Sequence, residues 1–154
     1  MEKDKDKIPY VCGPLTELSK ETGEQARAIY TAIAEITENI LGKRAFVPHE
    51  HFDPLNSNAT SQQVYQTESE RIKHQTSLVI VVAIAPSWGG GGEIQLANEY
   101  SVPIIICKPR GKTISRYILG MPMVKEKEVV EYDNIFDLER SLVPMLTNGR
   151  IIIA

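Results

Sequence analysis

Apolar residues along this chain occur in two patterns that alternate: short continuous runs, and repeats at every third or fourth position. Residues 8–12, 45–47, 77–85, 102–107 and 129–132 form short apolar runs, which are typical of strands. The run at 77–85 is apolar without interruption, as in strands buried on both faces of a parallel sheet. Between the runs, apolar residues recur every three or four positions, which predicts helices. The clearest such series stops before Gly42 and consists of Ala26, Ile29, Ile33, Ile36 and Ile40.

Further helices are predicted over residues 61–74, 93–100, 113–119 and 135–146. Thr60 and Gln63 have the spacing of a capping box, which sets the start of the first of these helices. The polar segment 49–60 is expected to be a loop, and residues 1–7 a polar tail. The apolar residues 151–154 either pair with a sheet edge or a partner chain, or form a frayed end.

This alternation predicts an α/β fold, namely a flavodoxin-like doubly wound parallel sheet of about five strands in the order 2-1-3-4-5. Right-handed crossovers place every strand-to-helix loop at one edge of such a sheet, and ligands bind there. Three segments meet at that edge: the loop from Gly13 onward, the loop 49–60, and the glycine run after the third strand.

Composition adds limits on function. A chain of 154 residues fits one domain, 1–154, and 42% hydrophobic and 24% charged residues are ordinary globular usage. The net charge of −3 and the absence of a basic segment argue against binding to a nucleic acid polymer. The longest apolar run is too short to span a bilayer, so we expect a soluble, cytoplasmic protein without membrane contact. The cysteines, Cys12 and Cys107, are expected to be buried free thiols.

The segment 86–97, PSWGGGGEIQLA, is the strongest local signal for chemistry. A strand ends, the backbone becomes bare over four glycines, and a helix is expected to begin at Glu93. Glycines allow a ligand close to the main chain and permit positive φ, and free N–H groups at a helix start suit an anion. The alternative is a flexible turn in which Glu93 only complements the helix dipole.

Two other polar groups allow more than one interpretation. His49 and His51, with Glu50 and Asp53 nearby, have too weak a spacing to predict a metal site. One histidine could contact a base or a phosphate, or titrate near neutral pH, and loop polarity is the favoured interpretation for the other. The basic residues after the fourth strand either attract an anionic nucleotide or form a solvated loop; they are Lys108, Arg110 and Lys112.

Several segments resemble the nucleoside 2-deoxyribosyltransferase-like family. The segment 10–15, YVCGPL, is similar to the family's opening strand and turn, and 79–97 to its strand, glycine loop and catalytic glutamate. The spacing is nearest to the branch that hydrolyses 2′-deoxynucleoside 5′-monophosphates, whose phosphate-binding serine segment resembles 115–120, SRYILG. The likeness covers residues 8–120 in the same order.

The resemblance implies an N-glycosidase or deoxyribosyltransferase in which Glu93 attacks the anomeric carbon of a nucleoside or its 5′-monophosphate. It implies no metal, no other cofactor, and a homo-oligomer of two or more subunits. Ser87 and Ser115 would contact the 5′-phosphate or 5′-hydroxyl, and Trp88 would stack on the base or only form the rim. The implied substrate-binding residues are Tyr10, Gly13, Pro14, His49, His51, Ser69, Ser87, Trp88, Gly89, Gly91 and Ser115.

One position departs from the family pattern. Ser69 stands where the family has an aspartate close to the sugar, and Glu68 and Glu70 flank it. On a helix, Glu68 would share a face with Val64 and Ile72 and could point inward as a second catalytic carboxylate. If it does not, the alternative function is an inactive nucleotide-binding sensor. A third, weaker alternative is a binding module for another phosphorylated metabolite.

Overall fold

The computed structural model describes residues 4–16 and 18–147, so the apolar residues 151–154 lie outside the described part. The helices and strands follow one another in a largely alternating order. They are β1 (Ile8–Cys12), α1 (Lys20–Leu41), α2 (Pro48–Phe52), α3 (Ser61–Gln75), β2 (Thr76–Val82), α4 (Trp88–Glu99), β3 (Ile104–Pro109), α5 (Arg116–Leu119), β4 (Val124–Tyr132) and α6 (Ile135–Thr147).

The four strands form one parallel sheet in the order β1-β2-β3-β4. This confirms the predicted doubly wound α/β class. The predicted strand at 45–47 is wrong, because this segment makes a single parallel bridge between Phe46 and Tyr10. The Phe46 N–H donates to the carbonyl of Pro9 (2.8 Å), and the Val11 N–H donates to the carbonyl of Phe46 (2.9 Å). Pairing ends there because α2 begins at Pro48. The bridge lies beside β1, at the edge where the predicted order 2-1-3-4-5 placed the second strand.

Helices cover both faces of the sheet. On one face, α1 and α6 pack against each other and bury Ile33, Leu138 and Leu142 against alternate residues of the strands. On the other face, α3 and α4 bury Ile72 and Ala97 against the remaining strand residues. Each of the seven residues of β2 is buried, as the uninterrupted apolar run predicted.

The sequence signals for helix ends match the structure. Gly42 follows α1 in a left-handed conformation with φ of 69°, which a glycine adopts without the strain of a side chain. The capping box of α3 is formed: Thr60 Oγ1 accepts from the Gln63 N–H (3.2 Å), and Gln63 Oε1 accepts from the Thr60 N–H (2.8 Å). No helix in the described part of the chain has both the length and the apolar character needed to cross a bilayer.

Two predictions for the ligand edge are wrong in their local structure. The segment 49–60 was expected to be a loop, but its first residues belong to α2. Pro48 supplies a fixed φ and needs no N–H partner in the first turn of a helix, so it begins α2 as well as ending the strand-like segment. The glycine run was expected to be a bare loop, but Gly89 to Gly92 lie inside α4.

Candidate active site

The start of α4 is fixed by Ser87. Its Oγ accepts from the Gly90 N–H (3.1 Å), and its carbonyl accepts from the Gly91 N–H (3.0 Å). This N-cap satisfies amide groups that a helix start otherwise leaves free, and it allows the glycines to be helical. None of the four glycines has positive φ. Glu93 therefore lies within α4, one turn after Gly89 and Gly90, and does not begin the helix.

The glycines of α4 differ in the space that surrounds them. A Cβ on Gly90 would lie 3.3 Å from Cβ and Oγ of Ser87 and 3.6 Å from Sγ of Cys12. A Cβ on Gly91 or Gly92 would meet nothing within 4 Å. Close packing against β1 thus explains Gly90, and Gly91 and Gly92 leave open space at the surface of the site.

A cavity of about 740 Å³ lies between the loop after β1, the segment 48–61, α3 and α4. Its volume is in the range of cavities that hold a nucleoside-sized ligand. Glu68 on α3 and Glu93 on α4 both line it. The other predicted site residues that line it are Gly13, Ser69, Ser87, Trp88 and Gly89.

Glu93 lines this cavity from α4. Part of the residue is exposed, but its Oε2 atom is buried and makes no hydrogen bond to any described residue. Burial first, and then the charge of Glu68, raise the pKa of Glu93 to about 8. The nearby Tyr10 hydroxyl and Cys12 thiol partly oppose this rise in the pKa of Glu93, so they favour the ionised form. A carboxyl group with this pKa exchanges its proton near neutral pH.

The two glutamates that flank Ser69 have different environments. Glu68 is half-buried on the cavity side of α3, with Val64 and Ile72, and burial raises its pKa to about 7. Glu70 is exposed and lies near the Lys73 ammonium at 3.8 Å. Only the first of these two carboxylates can therefore act in the cavity.

Ser69 itself is buried and makes a long hydrogen bond, 3.4 Å from its Oγ to the carbonyl of Gln66. Its side chain is too short to supply the carboxylate that the family pattern has at this position. The structure thus brings a carboxylate to the cavity from the preceding residue of the helix, Glu68.

A second cavity of about 260 Å³ adjoins the first and shares Gly13, Ser87 and Gly90 with it. It lies between the start of α4 and the loop after β3. Pro14, Gly91 and Ser115 line it, together with Lys112 and Thr113. Hydroxyl groups, one ammonium group and the start of a twelve-residue helix are chemically suited to a phosphate.

Three predicted substrate-binding residues line neither cavity. Tyr10 is fully buried and stacks on Phe46, with ring centroids 5.3 Å apart. His51 is exposed and stacks on Phe46 from α2, at 4.5 Å. His49 is half-buried near the ring of Tyr30 (5.9 Å), and burial lowers its pKa. Tyr10 can act on the site only through Glu93, and the two histidines pack against aromatic rings outside both cavities.

The basic residues at the end of β3 and directly after it are largely engaged with carboxylates. Arg110 binds both carboxylate oxygens of Asp133, at 2.9 and 3.1 Å, and Lys108 lies 3.9 Å from Glu131. Lys112 lines the smaller cavity. The attraction for an anionic ligand at this edge therefore depends on one lysine, not on three basic side chains.

The sequence interpretation missed the ion pair that holds the cavity wall. Arg27 on α1 binds Asp53 through two hydrogen bonds, Nε to Oδ2 at 2.7 Å and Nη2 to Oδ1 at 3.0 Å. Asp53 Oδ1 also accepts from the Leu55 N–H (3.0 Å), and its carbonyl accepts from the Ser57 N–H (2.9 Å). The two residues are 26 positions apart, and no periodic pattern in the sequence connects them.

The loop after β1, which was predicted to lie at the ligand edge, is held in place by Tyr30. The Tyr30 hydroxyl donates to the carbonyl of Pro14 (2.7 Å). A Cβ on Gly13 would lie 2.4 Å from that hydroxyl oxygen, so only glycine fits there. Within residues 4–16 and 18–147, no group of three or more His, Cys, Asp or Glu side chains is arranged to hold a metal ion.

Solved structures of other proteins resemble this one. A CMP N-glycosidase from Clostridium botulinum has a TM-score of 0.65 and 18% identity, over 88% of this chain and 97% of that one. A 2-deoxyribosyltransferase from Bacillus psychrosaccharolyticus has a TM-score of 0.59 and 17% identity, over 86% and 90%. A conserved protein from Enterococcus faecalis has a TM-score of 0.62 and 14% identity, over 88% and 96%. The chain has the nucleoside 2-deoxyribosyltransferase fold. No family model and no curated protein matches its sequence.

This 2-deoxyribosyltransferase fold explains the location of the cavities. Both lie at the carboxyl ends of the parallel strands, where loops and helix starts converge.

Proposed function

We propose that this protein is an N-glycosidase that cleaves the N-glycosidic bond of a nucleoside or its 5′-monophosphate, with Glu93 as the nucleophile. The observation that carries the proposal is the buried, unbonded Oε2 of Glu93 beside a nucleoside-sized cavity, next to a second carboxylate, Glu68. The two enzymes that share the fold act on N-glycosidic bonds by their names, which supports this class of reaction.

The reaction requires two carboxyl groups in opposite protonation states. The Glu93 carboxylate attacks the anomeric carbon, the carbon–nitrogen bond breaks, and the base leaves with the bonding electrons. Glu68 donates a proton to the leaving base. Water, or a second base in a transfer reaction, then attacks the anomeric carbon and releases Glu93. In the hydrolysis, Glu68 takes the proton from the attacking water.

The smaller cavity supports a 5′-monophosphate as part of the substrate. Ser87 is oriented by its bond to the Gly90 N–H and keeps a hydroxyl proton to donate. Ser115 and Lys112 lie on the other side of the same space. Since this cavity adjoins the one that holds Glu68 and Glu93, a nucleotide could extend across both.

Release of free base from a panel of nucleosides and nucleotides tests the proposal. We expect release by the unaltered protein and a loss of about a thousandfold or more in Glu93→Gln. Glu70→Gln is the matched control, because Glu70 is an exposed glutamate that does not line the cavity. Tight binding without release would replace the enzyme by the nucleotide-sensor alternative, and a dependence on added free base would indicate transfer. The homo-oligomer and the cytoplasmic location stay predictions.

A further inference from the structure

The two cavities are lined by ionisable side chains of opposite sign. Three carboxylates line the larger one, those of Glu68, Glu93 and Glu99, and no lysine, arginine or histidine is found among its described lining residues. The smaller cavity is lined by one charged side chain among the described residues, that of Lys112. An anionic group therefore fits the smaller cavity, and the larger cavity favours a neutral or cationic one.

Aromatic side chains lie at the same acidic cavity. Trp88 is 100% exposed and Tyr65 is 68% exposed, and both line it. Large aromatic faces that are open to a cavity attract organic cations, and tryptophan does so most strongly. A neutral base would also stack on these rings, so the aromatic faces gain their selectivity from the carboxylates beside them.

The buried oxygen of Glu93 gives an independent indication of a positive occupant. Oε2 has no hydrogen-bond partner among the described residues, and the charge of Glu68 opposes ionisation of the same group. No basic side chain of residues 4–16 or 18–147 lines this cavity to offset the two carboxylates. A cation bound in the cavity would offset both, and it would keep Glu93 ionised for attack.

We infer that the preferred substrates are N-glycosides whose base carries a positive charge, such as pyridinium or N-alkylated purine nucleotides. This inference rests on the proposed function of Glu93. The charged base would lie in the larger cavity with Trp88 and Tyr65, and the 5′-phosphate in the smaller one.

The chemistry of such substrates suits the site. The Glu93 carboxylate forms a bond to the anomeric carbon, and the bond to the cationic nitrogen breaks. The base takes the bonding electrons and leaves as a neutral molecule, so it needs no proton. Water then attacks the same carbon, and the bond between this carbon and Glu93 breaks, which releases the sugar. The proton of the water passes to Glu68 or to solvent. Both glutamates can therefore stay ionised during bond cleavage, and their charge attracts the cationic base before the bond breaks.

The test compares two nucleotides that share a phosphate, nicotinamide mononucleotide with a cationic base and cytidine monophosphate with a neutral one. We measure KM for each at low and high ionic strength, in the unaltered protein, Glu99→Gln and Glu70→Gln. The ratio of the two KM values cancels the contribution of the shared phosphate. The change of this ratio with ionic strength and with Glu99→Gln also cancels the difference in how well the two bases leave.

We expect a lower KM for the cationic nucleotide, and an advantage that shrinks with ionic strength. Glu99→Gln should raise its KM relative to that of cytidine monophosphate by about threefold, because one charge near the base is lost. Glu70→Gln should leave the ratio unchanged. If both nucleotides are cleaved but the ratio of their KM values is the same at both ionic strengths and in Glu99→Gln, the preference for a cationic base is overturned and the N-glycosidase proposal stands. Cleavage of neither, nor of any other nucleotide, would overturn the proposed N-glycosidase together with this preference.

Discussion

Glu68 on α3 raises the pKa of Glu93 on α4, although 25 residues separate them in the sequence. Each carboxyl group is already hard to ionise because it is buried, and the charge of Glu68 further disfavours the charge of Glu93. The pair therefore titrates near neutral pH and not near 4.5, the usual value for glutamate. A pair of this kind provides an acid and a base in one cavity under physiological conditions.

The pH dependence of cleavage should follow the titration of Glu68 and Glu93. For a neutral nucleoside the reaction needs one proton on the pair, so kcat/KM should be bell-shaped with its maximum between about 7 and about 8. In Glu68→Gln the neighbouring charge is gone, so the pKa of Glu93 should fall. The basic limb should disappear, because no carboxyl group is left to donate the proton, and kcat/KM should rise with pH to a plateau as Glu93 ionises. An unchanged profile in Glu68→Gln would mean that the two groups do not titrate as a pair.

Stability should depend on pH through Glu93. Its pKa in the folded chain is about 8 and its ordinary value is 4.5, so between these values the folded chain holds a proton that the unfolded chain has lost. The contribution of this group to stability is therefore full below pH 4.5 and falls as pH rises through about 8. Glu93→Gln should remove that fall and raise the free energy of unfolding above pH 8 by a few kcal/mol relative to the unaltered protein.

Chemical denaturation of both proteins at about pH 5 and about pH 9 measures this effect. Glu70→Gln is again the control, since Glu70 is exposed. An equal pH dependence in Glu93→Gln and the unaltered protein would show that Glu93 does not titrate in a buried environment.

The Arg27–Asp53 pair should control the shape of the cavity wall. Asp53→Asn leaves the Arg27 guanidinium without its carboxylate and weakens the bonds that hold residues 53–57, of which Pro54 and Ser57 line the large cavity. We expect a loss of about 1–3 kcal/mol of stability and a higher KM with a smaller change in kcat. Asp133→Asn is the matched control, because it removes the carboxylate of the exposed Arg110–Asp133 pair. Equal effects on KM would contradict a specific role for Asp53.

Two glycines of α4 should respond oppositely to alanine. Gly90→Ala forces a Cβ against Ser87 and Cys12, and should lower stability by about 1–2 kcal/mol and disturb Glu93. Gly91→Ala has open space and helical φ, so it should raise stability by about 0.5–1 kcal/mol. Thermal unfolding of both variants measures the difference. A stabilised Gly90→Ala would mean that close packing does not explain this glycine.

Much of the fold followed from the spacing of apolar residues. The series from Ala26 to Ile40 predicted α1, and the uninterrupted run at 77–85 predicted the buried strand β2. The inward direction of Glu68 also followed, because Val64 and Ile72 lie one turn away on the same face and line the same cavity. Helical periodicity fixes the direction of a side chain once the helix itself is known.

Other features depended on contacts that local sequence does not contain. The glycine run was expected to be a bare loop, because its helix depends on Ser87 as a cap and on packing of Gly90 against Cys12. Pro48 ended the expected strand but also began a helix, and these two roles look the same in sequence. His49 and His51 have no periodic neighbours that would show which way they point. The Arg27–Asp53 pair joins segments that only the folded chain brings together.

The central claim is that Glu93 forms a covalent bond to the sugar. Incubation with a cleaved nucleotide, an acid quench and mass spectrometry of the intact protein and its peptides measure this directly. We predict an added mass equal to the sugar phosphate on the peptide that contains Glu93, absent in Glu93→Gln and present in Glu70→Gln. Release of base without an adduct on that peptide, at an equal rate in Glu93→Gln, would contradict the account.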